Sequence, residues 1–172
     1  MCIRDRAYSL IEIDITRGNL DPLPIAVSPL FQDDSSKRNS INELKIENVG
    51  SEISLVVENN LKISGVFNPL SKEAFLQKPD IAHLKPRFED WALIKAQALI
   101  TGKVTIEDKK LKVEFRLWDI LAGREMMALA FTTVPSNWRR VGHIISDKVY
   151  ERLTGEKGYF DTRIIYVSEE GP

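Results

Sequence analysis

Cysteine is almost missing from this chain: Cys2 is the single one in 172 residues. Disulfides within the chain and cysteine-built metal sites are thereby excluded. Histidine is nearly as scarce, with His83 in a proline-flanked stretch and His143 in a helical one. Zinc sites and acid–base catalysis need converging ligands or a base with an oriented partner, and neither histidine has a near-sequence companion of the right type. A lone histidine beside an apolar helical stripe is usually a packing or surface residue. No apolar run approaches the ~20 residues of a membrane span. Twenty-four basic and 25 acidic residues leave a net charge of −1, so bulk charge draws the chain neither to nucleic acid nor to an anionic membrane.

Catalytic signatures are missing as well. The sequence contains no GxSxG, SxxK or HExxH and no phosphate-cradling glycine loop. Residues 154–158, TGEKG, lack the GxxxxGK[ST] spacing and follow a helix instead of preceding one, so they read as a helix stop. The adjacent pairs Asp33, Asp34 and Glu169, Glu170 are ordinary solvated charge, since catalysis would need one carboxylate buried with a shifted pKa. The expectation is a chain with no catalytic, cofactor-binding or metal-binding residues.

What is present is regular patterning. Ser136 follows Pro135 and is expected to cap a helix in which Trp138, Val141, Ile145, Val149 and Leu153 form one apolar stripe. Gly155 and Gly158 end it, and residues 163–167 resume as a strand. A second long helix is expected from about residue 41 to 64, with Val49, Ile53, Val56, Val57, Asn60 and Ile63 on or near one face and Gly65 as the stop. Shorter helices are expected at 71–77, with Phe75 and Leu76 inside, and at 88–96, anchored by Trp91. Residues 31–42 and 78–87 read as loops, on their polar and proline content respectively.

Residues 24–27 and 66–68 are short apolar strands. Residues 98–106 begin almost wholly apolar, as a strand buried on both faces does, and 111–117 alternate Leu111, Val113, Phe115, Leu117 with Lys112, Glu114, Arg116. A tight connection at 108–110 makes these two an antiparallel hairpin, and 124–133 returns as a third strand after a turn at Ala122 and Gly123. The fold class is α+β: a mixed β-sheet of about five strands with two long helices packed against it, plus an N-terminal extended segment.

That segment is Leu10, Ile11, Glu12, Ile13, Asp14, Ile15 and Thr16, which has the two-residue period of a strand with one apolar face. A terminal strand of this kind either docks on its own domain as an edge or adds to the edge of another sheet. The residues alone leave both open. Arg139, Arg140, Lys148 and Arg152 give the last helix a basic side, balanced by Asp147 and Glu151, which reads as a solvated face. An RNA-binding module is the alternative use of such a side, with near-zero net charge and no aromatic-basic strand against it.

Longer words carry a family resemblance. NWRR, then GHIISDKVYERLTGEKGYFDTRIIYV, resembles the signature that closes the N-terminal domain of the TolB family, periplasmic components of the Tol–Pal cell-envelope system. PRFEDWALIKAQALITGKV and VEFRLWDILAGRE continue the likeness upstream, and ITRGNLDPLPIAV extends it more weakly, in the family's order and spacing. The resemblance implies a fold similar to anticodon-binding domains and a non-enzymatic periplasmic protein that links TolA to the lipoprotein Pal. The implied role supports outer-membrane integrity, cell division and protein translocation. It further implies that residues 10–23 are a partner-binding segment in which the seven residues above meet the C-terminal domain of TolA, and that this segment can also fold back on the protein. Glu12 and Asp14 make it more acidic than a generic epitope. Residues 24–160 then correspond to the family's N-terminal α/β domain, and 161–172 to the start of a β-propeller expected to be missing here, on which the Pal contacts mainly lie. Residues 1–9 are expected to be a non-native or unassigned start, since MCIRDR has charges without the apolar core of a secretory signal.

Overall fold

A computed structural model describes Ile13, residues 21–33 and residues 46–162. The sheet is built around a long central strand that opens on an apolar run. The first five residues of β4 (Ala98–Glu107) are all buried, as a strand covered on both faces requires. Asp108 and Lys109, with φ of 48° and 62°, form the two-residue turn into β5 (Lys110–Asp119), and two successive positive φ angles match the twist of a hairpin. β6 (Arg124–Thr133) completes the meander after a turn through Gly123.

On the other side of β4 lie two separate stretches, both parallel to it. β1 (Leu23–Val27) pairs with residues 98–100, and β2 (Phe31–Gln32) pairs with Lys103 and Val104. β3 (Phe67–Pro69) lies parallel outside β1, giving the order β3-β1-β4-β5-β6 with β2 beside β4. The result is the expected mixed sheet, with six strands. The loop expected from residue 31 is corrected at its start. Gln32 is buried, and its Oε1 accepts the Gly50 backbone N–H at 3.3 Å. Two residues are too few for a sequence period to show; residues 34–42 lie outside the described residues.

Two helices cover one face of the sheet. α1 (Val49–Ile63) starts where Asn48 Oδ1 accepts the Ser51 N–H at 3.0 Å, so residues 46–48 are not part of the expected helix, and residues 41–45 lie outside the described residues. It buries Val49, Ile53, Val57 and Leu61. Ile63 is 80% exposed, contrary to the expected stripe. The reason is that α1 packs on two neighbours. Leu61 turns to the sheet layer, while the Val56 and Asn60 side meets the last helix and Ile63 lies beyond its reach.

That last helix, α4 (Trp138–Thr154), buries the predicted stripe of Trp138, Val141, Ile145, Val149 and Leu153. It stops at Gly155, whose φ of 76° only glycine adopts easily. Ser136 does not cap it. The residue stands in a 3-10 turn, Pro135–Asn137, in which the Val134 carbonyl takes the Asn137 N–H at 3.0 Å, so a backbone group replaces the side chain. The strand expected at 163–167 lies outside the described residues.

α1 and α4 approach closely at Gly142. A Cβ there would stand 2.8 Å from Val56 Cγ1 and 2.9 Å from Val56 Cβ. Helix propensity alone would favour alanine over glycine by about 1 kcal/mol. Because valine is stiff at χ1, the collision decides the sign: Gly142→Ala is expected to destabilise by about 1–3 kcal/mol, read from the urea midpoint at unchanged slope.

The described residues cover the other face only in part. α2 (Pro79–Ala82) and α3 (Phe88–Leu93) lay Ala82 and Trp91 over Ala26, Leu99, Trp118 and Ile120. Residues 78–87 are thus not all loop, because Pro79 occupies the first helical position, where its missing N–H costs nothing. The helix expected at 71–77 is reduced to a 3-10 turn, Lys72–Ala74, with Phe75 packed on Trp91 but Leu76 60% exposed. α3 ends at Leu93, short of the expected Ala96, because Lys95 takes a left-handed φ of 62°.

Candidate partner-binding site

Of the seven leader residues, Ile13 is described; Leu10, Ile11, Glu12, Asp14, Ile15 and Thr16 lie outside the described residues. The Ile13 N–H donates to the Leu153 carbonyl at 2.7 Å. Carbonyls in the last turn of a helix have no partner within the helix, so Leu153 offers an acceptor that a passing strand-like segment can use. The Ile13 side chain is half-buried against the main core.

The same half of α4 also holds the segment that follows it. The Asp147 carboxylate accepts two successive backbone N–H groups, Phe160 on Oδ1 at 2.7 Å and Asp161 on Oδ2 at 3.1 Å. Asp161 in turn pairs with Arg140 at 3.2 Å. Tyr150 sits between Phe67, Tyr159 and Phe160 with rings in edge-on contact. Burial, then the neighbouring Tyr159 and Glu156, push its phenol above the ordinary range, so it stays neutral at physiological pH.

The residues weighed for chemistry are dispersed. His143 Nδ1 accepts from Asn60 Nδ2 at 2.9 Å, and Asn60 also donates to Ser146 Oγ at 3.0 Å, a polar link between α1 and α4. His83 is on the opposite face of the sheet, where its Nδ1–H donates to the Pro79 carbonyl at 3.0 Å and its ring stacks on Phe31 at 4.6 Å. Among the described residues no three His, Cys, Asp or Glu side chains converge as metal ligands. Three of the four basic residues of α4 are engaged locally: Arg140 on Asp161, Lys148 on Glu151 at 3.3 Å, and Arg139 over the Trp138 ring at 5.0 Å.

The sequence reading did not anticipate the uncovered half of the sheet. Beyond Trp118, one face of β4, β5 and β6 is left open by the described residues, and it forms a shallow trough of about 420 Å3 beside α2. The signal was the polar side of β5, which reads simply as solvent-facing.

A profile of the TolB amino-terminal domain matches residues 11–126. Over 167 residues the chain is 78% identical to the Tol-Pal system protein TolB of Pelagibacter ubique (strain HTCC1062), a match that takes in 97% of this chain and 37% of that one. The chain belongs to the TolB family. It spans little more than a third of that relative's length. The structure of TolB from Acinetobacter baumannii superposes with a TM-score of 0.63 at 23% identity, over 82% of this chain and 30% of that one. That likeness shows the fold: the six-stranded mixed sheet with its two long helices is the TolB amino-terminal architecture. The profile ends inside β6, while the Pelagibacter match runs on through nearly the whole chain.

Proposed function

We propose that this chain is the amino-terminal part of a periplasmic, non-enzymatic interaction protein of the Tol–Pal system. In this reading residues 10–16 are the handle for the C-terminal domain of TolA, and Pal binds through a β-propeller. The linkage serves outer-membrane integrity, cell division and protein translocation. The name of the relative 78% identical to the chain supports the system assignment. The observation that carries the handle is the way Ile13 sits on α4: one backbone hydrogen bond and a half-buried side chain.

Such a docking is shallow. A net hydrogen bond contributes about 0.5–1.5 kcal/mol, and full burial of an isoleucine about 1.5–3 kcal/mol. At this residue the two together fall below the 5–15 kcal/mol that typically holds a whole domain. The hold on Ile13 can therefore be released while the domain stays folded, and in this reading the leader offers its backbone to another sheet edge. Calorimetric titration of the chain against the TolA C-terminal domain tests this. Removing residues 10–16 is expected to weaken binding at least about tenfold, or 1.4 kcal/mol, with the unfolding transition still cooperative. Unchanged binding after the deletion overturns the assignment.

A further inference from the structure

We propose that the open face of the sheet is a second docking surface, which takes an extended acidic peptide with its carboxylate on Lys103 and a neighbouring apolar side chain against Leu84. The reading does not depend on Ile13, which meets α4 on the other side of the sheet. Side chains alternate across a strand, so the pairings Lys103 with Glu114 and Arg116 with Ala128 put these four on one face, together with Ala130. They floor the trough; His83 and Leu84 wall it.

Three observations define the occupant. The first is charge. On this face Lys112 pairs with Glu114 at 3.1 Å and Arg116 with Glu125 at 3.6 Å. Lys103 is half-buried, and among the described residues no carboxylate forms an ion pair with it. A half-buried cation has lost part of its hydration, and a partner's carboxylate restores what the fold does not supply. The second is the rim. Leu84 is 67% exposed and Ile81, one turn before it, is 53% exposed, so apolar surface adjoins the free cation. The third is access. Among the described strands β6 is the edge, and Ala128 and Ala130 are small and exposed, so an extended backbone can lie close to the sheet there.

A phosphate or a nucleic acid fits less well. Among the described residues the trough offers a single unpaired cation, and Glu114, directly across from it in the register, opposes a dianion or polyanion more strongly than it opposes one carboxylate. The wall is already in place, because His83 is held by the Pro79 carbonyl and stacked on Phe31.

The test is a 15N NMR titration of the full chain with N-acetyl-Leu-Asp-Leu-amide and with its Asn and Lys counterparts. The Asp peptide is expected to give saturable shifts at residues 102–104, 114–116 and 128–130, with a dissociation constant on the order of millimolar. The Asn peptide is expected to bind at least threefold more weakly, and the Lys peptide more weakly still. Lys103→Gln is expected to erase the difference between Asp and Asn, whereas Lys109→Gln, in the hairpin turn, keeps it. The amide spectrum shows directly that each variant is folded. Shifts that do not saturate, that map outside the trough, that fail to separate Asp from Asn, or that keep the preference in Lys103→Gln each overturn the proposal.

Discussion

Replacing Trp91 with alanine is expected to destabilise the domain by about 3–5 kcal/mol. Trp91 is 1% exposed and meets the Phe75 ring edge-on at 5.0 Å. Its Nε1–H donates to Gln77 Oε1 at 3.0 Å, and the same oxygen accepts the Arg87 backbone N–H at 2.9 Å. One side chain thus ties α3, the segment before α2 and the sheet together. The helices it secures have four and six residues, far too short to persist unaided. Their collapse into the vacated space would break the contacts that hold them, so relaxation cannot recover much. Against a typical domain stability of 5–15 kcal/mol the loss is a large fraction. Trp91→Phe keeps most of the volume and leaves Gln77 with Arg87, and is expected to cost about 1–3 kcal/mol. Urea unfolding of both variants checks the order. A loss below 1 kcal/mol for the alanine variant would show that Trp91 is not what fastens this layer.

Gly102→Val is expected to cost at least about 3 kcal/mol, beyond the usual range for overpacking. Valine is favoured in strands by up to ~1 kcal/mol, so general propensity predicts the opposite. The local geometry decides it. A Cβ at Gly102 would collide with the Glu114 carbonyl oxygen and stand 2.8 Å from Leu30 Cδ2 and 3.0 Å from Phe115 Cα. Two of these are backbone atoms of the paired strand, which no rotamer change moves away. Leu30 is buried and belongs to the main core, so it cannot swing aside without leaving a void. For a chain of this size each kcal/mol corresponds to roughly 2–4 °C, so the melting temperature is expected to fall by at least about 6 °C. Gly102→Ala meets the same three atoms and should follow the same direction. A variant that melts at or above the parent temperature would disprove the close approach of β4, β5 and Leu30.

The parts of the fold legible in the sequence are those whose signal is local. The stripe on α4 needs 17 residues of one helix, and the alternation on β5 needs ten of one strand. Both periods are set by backbone geometry, not by the neighbours. The turn at Asp108 and Lys109 was placed by the patterns on either side of it, although neither residue is glycine. The candidate partner site was legible only as a strand-like leader, because the alternation of Ile11, Ile13 and Ile15 is the same for a segment that docks at home as for one that pairs abroad.

What failed to show depends on contacts distant in the chain. Nothing near Phe31 and Gln32 marks a strand, since the residues that define it, Lys103 and Val104, lie some seventy positions on. α2 is masked by prolines that break helices in the interior but are admitted at the first turn. Leu61 instead of Ile63 faces the core because α4 claims one flank of α1, and a helical wheel holds no record of a second helix.

The sequence by itself therefore determined the kind of each long element, where α4 stops, the charge balance, and, through long matching words, the family. Only the tertiary structure decided which flank of α1 is buried, that β1 and β2 share one side of β4, and that the described residues leave half of a sheet face open beside Lys103. The division follows from range: periodicity and turn chemistry act over a few residues, whereas exposure and pairing are set by whichever remote segment fills the space first.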